Sequence, residues 1–122
     1  MAARMKHLGA QGVVVNGRVR DLVTLAETGL PIWCQGTSII GAGAETKFHA
    51  RNVPVWVGET VVEPGDIVMI DPSENGVVAV PQGKVNEVLE LLPKLVAADE
   101  KVIKDVEDGV SVKEAFKRHR NA

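Results

Sequence analysis

The sequence predicts an α/β fold, on three observations. Short β-branched runs punctuated by glycine, asparagine and proline recur between residues 12 and 80. After Lys84 the pattern changes to a long apolar stripe at helical spacing. Apolar residues make up 45% of the 122 and charged residues 25%, the balance of a folded chain and not of a disordered one. The length suits one domain, so residues 1–122 read as a single domain with short mixed strands and a helical tail over 84–120.

Residues 2–8 read as the last turns of a helix, because Ala2, Met5 and Leu8 fall near helical spacing and Gly9 follows as a stop. Gly12-Val13-Val14-Val15 reads as a buried strand ended by the turn dipeptide Asn16-Gly17. Residues 19–27 carry Leu22, Leu25 and Ala26 in a short helix or turn that Gly29 ends. Residues 30–34 form another strand, with Pro31 near its start, where a missing N–H is tolerated. Residues 35–50, rich in Gly, Ser, Thr and Ala, predict a long loop. Four short strands follow at 53–57, 59–62, 67–71 and 77–80, separated by Gly58, Pro64-Gly65-Asp66 and Ser73-Glu74-Asn75-Gly76.

In the tail, Val85, Val88, Leu89, Leu92, Leu95, Val96, Val102, Ile103 and Val106 make one apolar stripe. Pro93 predicts a break, with a second helix starting around it. Gly109 closes that helix, and Ser111-Val112-Lys113-Glu114 is a capping box opening a last helix to about His119. With aromatics at 3%, the core has to come from Val, Ile, Leu and Ala. Oligomerisation is the expected supplement for so small a chain.

Composition also excludes functions. A net charge of −2 leaves no cation excess to hold a phosphate backbone, so a dedicated nucleic-acid binder is disfavoured. One cysteine, Cys34, rules out an internal disulfide framework and a Cys-based zinc site, and fits a reducing compartment. No apolar run approaches the roughly 18 residues that cross a bilayer, and the basic first residues lead into no apolar signal core, so the expected location is the cytosol.

The segment richest in chemistry is Gly12-Val-Val-Val-Asn-Gly-Arg-Val-Arg-Asp21. A strand delivers Arg18, Arg20 and Asp21 to its mouth. An aspartate there suits Mg²⁺, a hard ion that keeps several waters and needs few carboxylates. An arginine beside it offers a planar fork for a substrate carboxylate. The same pair also reads as a surface ion pair of little energetic weight.

That segment, with Gly29-Leu30-Pro31-Ile32-Trp33, Asn52-Val53-Pro54-Val55, Val62-Glu63-Pro64-Gly65-Asp66-Ile67-Val68, Asp71 and Gly76-Val77-Val78-Ala79-Val80-Pro81, resembles a known family. It is similar to the class II pyruvate aldolases acting on 4-hydroxy-4-methyl-2-oxoglutarate, a family that includes the regulator of ribonuclease E activity A. The resemblance covers at least residues 1–81 and implies a swivelling β/β/α fold, assembled as trimers or pairs of trimers with sites between subunits. It implies a divalent cation, Mg²⁺ or Mn²⁺, held by Asp21 and waters, and a substrate contact from Arg20. A Lewis acid at the keto oxygen stabilises the pyruvate enolate left by carbon–carbon cleavage, and the same sink serves oxaloacetate decarboxylation. No Schiff-base lysine is required, so Lys6, Lys47 and Lys84 are not nominated. Full-length members carry an upstream half whose glycine-rich loop forms the opposite wall of the pocket. Residues 1–11 hold nothing equivalent, so the chain reads as N-terminally truncated, and a non-catalytic binding protein or inactive relative stands as the alternative.

Other candidates weigh less. His7, His49 and His119 are too scattered to predict a metal set, and His119 suits a helix C-terminus. Cys34 reads as a buried small hydrophobe. Gly36 to Gly43 lacks the spacing and lysine of a phosphate loop. Asp66 and Asp71 read as turn residues. The basic end, Lys113, Lys117, Arg118, His119 and Arg120, reads as a solvated last turn or an intersubunit contact.

Overall fold

A computed structural model describes residues 1–120, and the chain divides into two compact units, Met1–Pro81 and Gln82–Ala122. Both α and β elements are present as the sequence predicts. The first unit carries α1 (Ala2–His7), β1 (Val13–Val19), α2 (Leu22–Glu27), β2 (Ile32–Thr37), α3 (Ala42–Glu45), β3 (Val55–Val57), β4 (Thr60–Val62), β5 (Ile67–Asp71) and β6 (Gly76–Val80). The second carries a 3-10 turn (Gln82–Lys84), α4 (Val85–Glu107) and α5 (Val112–Arg120).

β1 and β2 run parallel, joined through α2, while β3 with β4 and β5 with β6 form antiparallel hairpins. The β1–α2–β2 crossover is short because Gly29, at φ +64°, ends α2 one turn before β2 begins. Lys6 reaches across from α1 to donate to the Thr28 carbonyl. Gly12 sits where a Cβ would come within 3.0 Å of Ile70 Cδ1, so the absence of a side chain lets β5 approach the foot of β1.

Three expectations are corrected. Asn16-Gly17 is no turn: β1 continues through it to Val19, and the register slips there, so the dipeptide is a bulge inside a parallel pair. β2 extends to Thr37, and α3 adds one helical turn, so the loop predicted over 35–50 is shorter than expected. Pro93 breaks nothing: α4 runs uninterrupted from Val85 to Glu107. Proline removes one N–H, leaving the Leu89 carbonyl without its helical donor. Leu89 is 64% exposed, so the unpaired carbonyl belongs to a residue that faces solvent.

Burial differs from the expected aliphatic core. Among the described residues only Leu30, Val102 and Ala115 are buried apolar side chains, and Cys34 is half-buried in β2. Each β-hairpin exposes apolar residues on both of its faces, Val55, Trp56 and Val61 in β3–β4 and Ile67, Val68 and Met69 in β5–β6. The accessible surface is 9910 Å². A compact monomer of this mass exposes about 6,300 Å², and two separate compact pieces about 7,500 Å². Exposed apolar side chains on the strands and on α4 contribute to that excess.

Candidate functional site

The site is built where two parallel strands end on the same side. Such crevices, outside the carboxyl ends of parallel strands, are where ligands bind in α/β sheets. β1 ends at Val19 and presents Arg20 and Asp21, while β2 ends at Thr37 and presents Ser38 to Gly41. The Ser38 N–H donates to the Val19 carbonyl at 2.8 Å, extending the ladder one step beyond β2. The Ser38 hydroxyl accepts from the Ile40 N–H at 3.0 Å, which folds the chain back over the exit of β1.

Asp21 holds a left-handed conformation, φ 61° and ψ 49°. A non-glycine residue there costs about 1 kcal/mol, and such outliers persist where surrounding structure holds them. It opens α2, its carbonyl accepting from the Leu25 N–H at 2.9 Å. Its carboxylate makes no capping bond to that helix, unlike the usual aspartate at a helix start. Instead Oδ2 lies 3.5 Å from Arg20 Nε, and both side chains are about half exposed. The structure therefore brings the two sequence-nominated residues into one ion pair at the strand mouth.

Arg20 lines a cavity of about 620 Å³ with Arg18, Asn16, Ser38, Gly41 and Glu45 among its walls. A Cβ on Gly41 would lie 3.9 Å from Arg20 Cζ, so the guanidinium rests against the backbone of that loop. Asp21 is not among the lining residues and adjoins the cavity through Arg20.

Among the described residues no three His, Cys, Asp or Glu side chains gather as a metal cluster. A site at Asp21 is therefore a one-carboxylate site. The donor fits a Mg²⁺-type ion: the carboxylate is open to water, uncommitted to a cap, and able to share its coordination with solvent.

The sequence marks Asn16 only as half of a turn dipeptide, and the structure gives it a positioning role. Its side-chain oxygen accepts from Gln35 Nε2 at 2.7 Å and from the Gly58 N–H at 3.1 Å, tying the bulge to β2 and to the β3–β4 turn. An Asn-Gly pair carries a turn pattern by itself, and only the neighbouring strand shows it to be a bulge.

The remaining candidates take structural places. Asp66 Oδ2 accepts from the Glu63 N–H at 2.9 Å within its turn. Asp71 Oδ1 accepts from the Ser73 hydroxyl at 2.6 Å and the Ser73 N–H at 2.9 Å, and these bonds with that from the Glu74 N–H hold its carboxyl below the usual carboxylate value. His119 pairs with Asp105 at 3.0 Å and Lys84 with Glu87 at 2.9 Å.

Comparison with known proteins gives the family and the fold. The RraA-like family, described as Aldolase/RraA, matches residues 1–79. The "Putative 4-hydroxy-4-methyl-2-oxoglutarate aldolase" of Halalkalibacterium halodurans is 34% identical over 111 residues, covering 91% of this chain and 51% of that protein. A protein of the same name from Shewanella oneidensis is 35% identical over 69 residues, covering 57% and 40%. A crystal structure from Pseudomonas syringae pv. tomato superposes with a TM-score of 0.75 at 27% identity, covering 92% of this chain and 57% of that one. The chain belongs to the RraA-like family. It spans about half the length of these relatives, or less. Among the described residues no helix is long and apolar enough to cross a membrane.

Proposed function

We propose that the chain forms the Arg20–Asp21 wall of a divalent-metal-dependent lyase that splits 4-hydroxy-4-methyl-2-oxoglutarate-type acids into pyruvate and a second keto acid. Oxaloacetate decarboxylation is its companion reaction. The reading rests on Asp21, held in a left-handed turn at the mouth of β1 with its carboxylate uncommitted to the helix it opens and paired with Arg20. The names of its relatives support it.

Arg20 offers its guanidinium edge to the substrate carboxylate at the cavity, a charge-assisted contact that fixes orientation. Asp21 would hold Mg²⁺ or Mn²⁺ with one carboxylate and solvent. The ion supplies a Lewis acid for the oxygen on which charge collects when the carbon–carbon bond breaks. Asp21 also draws Arg20 toward that oxygen, so one side chain orients the other. The uncovered apolar faces of the hairpins suit a homo-oligomer, a trimer or a pair of trimers, in a soluble cytosolic protein.

The test is pyruvate release from both acids with Mg²⁺ or Mn²⁺, for the unaltered chain and for Asp21→Ala. Turnover above the metal-only background that falls about 100-fold in the variant supports the lyase. Metal-only rates from a folded chain at every metal concentration overturn it, and leave the non-catalytic binding role of the ribonuclease-regulating branch.

A further inference from the structure

Arg18 has no part in that reading, yet the register of β1 aims it at the same cavity. Val13 pairs with Ile32, Val14 with Trp33 and Val15 with Cys34, after which Arg18 pairs with Gly36. β1 thus takes three steps where β2 takes two. Residues paired across a parallel ladder share a face, so the extra residue moves Arg18 to the face of Val13 and Val15; an unbroken strand would put it on the face of Val14. The cavities agree: Val13, Val15 and Arg18 line the one that holds Arg20, while Val14 and Trp33 line another.

The stem of Arg18 crosses Gly36, where a Cβ would lie 3.9 Å from its Cγ. Among the described residues its guanidinium has no hydrogen bond or ion pair. Arg18 and Arg20 stand two residues apart, at most about 7 Å between Cα atoms. Against them the cavity wall sets one carboxylate side chain, Glu45. Asp21, beside the cavity, pairs with Arg20 through Nε at 3.5 Å, so Arg18 is the guanidinium of the two that has no ion-pair partner and Arg20 keeps its Nη edge for an anion.

We propose that Arg18 receives the second carboxylate of a dicarboxylic keto acid whose first carboxylate is held at Arg20, and so sets a preference for dicarboxylates over monocarboxylates. The inference rests on the proposed function in taking Arg20 as the primary carboxylate contact. Each guanidinium then meets one carboxylate, and a substrate ending in a methyl group leaves Arg18 without an ion to pair with.

Binding measures this without requiring turnover. Calorimetric titration with Mg²⁺ present compares 2-oxoglutarate with 2-oxopentanoate, which carries a methyl group where the former has its second carboxylate. The unaltered chain should prefer 2-oxoglutarate about tenfold or more, Arg18→Gln should abolish that preference, and Arg18→Lys should keep part of it. Arg20→Gln should weaken both acids by a similar factor. Equal weakening of both acids by Arg18→Gln, or a preference that survives it, overturns the assignment of Arg18. If Arg20→Gln leaves both affinities intact, the reading of Arg20 fails, and with it the pairing proposed here. A chain that binds neither acid overturns both. Circular dichroism confirms that each variant is folded.

Discussion

In Gln82–Ala122, α4 and α5 close on each other around Val102 and Ala115, 5% and 0% exposed, and Asp105 and Asp99 reach across to Arg118, His119 and Arg120. Met1–Pro81 holds three separate strand pairs and, among the described residues, a single buried apolar side chain, Leu30. The difference follows from backbone chemistry. A helix satisfies its own hydrogen bonds and needs only one stripe covered. A two-stranded ladder leaves edges and two faces open, and is marginal in water unless a further surface joins it. The unit that carries the candidate site is therefore the one with open ladder edges, while the helical unit closes one helix on the other.

The sharpest way to break that contrast is to truncate one valine in each unit. Val102→Ala removes two methyl groups from the α4–α5 contact and should cost about 2–3 kcal/mol in a urea titration. Val61→Ala in β4, already 38% exposed, should cost less than about 1 kcal/mol in the isolated chain. Similar losses would show that the strand pairs are as well packed as the helices. A large loss at Val61 that appears only as protein concentration rises would place it in an interface between copies.

Pro93 gives the next largest effect, with opposite sign. Pro93→Ala restores a donor for the Leu89 carbonyl and should stabilise α4 by about 2 kcal/mol, once the freer unfolded chain is set against the helix-interior penalty. The gain should be read by far-ultraviolet circular dichroism on heating. A loss would mean that the proline shapes a contact the extended helix needs.

Pro93 also shows what a sequence can and cannot display. Local chemistry was legible: the Ser111 hydroxyl accepts from the Glu114 N–H at 3.3 Å as the capping box predicts, Gly9, Gly29 and Gly109 take positive φ where helices stop, and the four short strands fall within one or two residues of their expected bounds. What needed a neighbour was not legible. α4 runs through Pro93 although the residue type by itself predicts a break, Asn16-Gly17 is a bulge because β2 lies alongside, and His119 meets Asp105 only after α4 and α5 fold back on each other. The site divides the same way. Arg18, Arg20 and Asp21 could be placed at the strand mouth from the sequence, whereas the register slip that sets Arg18 on the wall of the cavity lined by Arg20 shows only beside β2.

Asn16 tests that slip. Asn16→Ala loses the bonds from Gln35 and Gly58 and should cost about 1 kcal/mol. Its informative consequence lies in the site. If the amide holds the bulge, the variant should also lower the preference for 2-oxoglutarate over 2-oxopentanoate, with the Arg18 side chain itself untouched.

The smallest expected effect separates the units by acid sensitivity. Asp71 and Asp105 both have carboxyl groups held below the ordinary value of 3.8. For Asp71 the first cause is the Ser73 hydroxyl, with backbone N–H groups next; for Asp105 it is the bond to His119, opposed by burial and aided by Arg118. A carboxyl whose folded pKa lies below its unfolded one stabilises the fold above the unfolded value, and the contribution disappears as pH falls through the folded value. Both should therefore add to an acid limb below about pH 4, and Asp71→Asn and Asp105→Asn should each flatten it. Salt distinguishes them. The donors to Asp71 are neutral and adjacent in the chain, so its share should persist in 1 M sodium chloride, while the Coulombic part of the Asp105 share, which adds to its hydrogen bonds, is weakened by salt. Between 0.1 and 1 M salt the acid-unfolding midpoints of Asp105→Asn and its parent should therefore draw closer, while those of Asp71→Asn and its parent keep their separation. If salt moves the Asp71 limb instead, its carboxylate is answering to a distant charge, and the strand pairs are tied together electrostatically in a way that their open faces do not reveal.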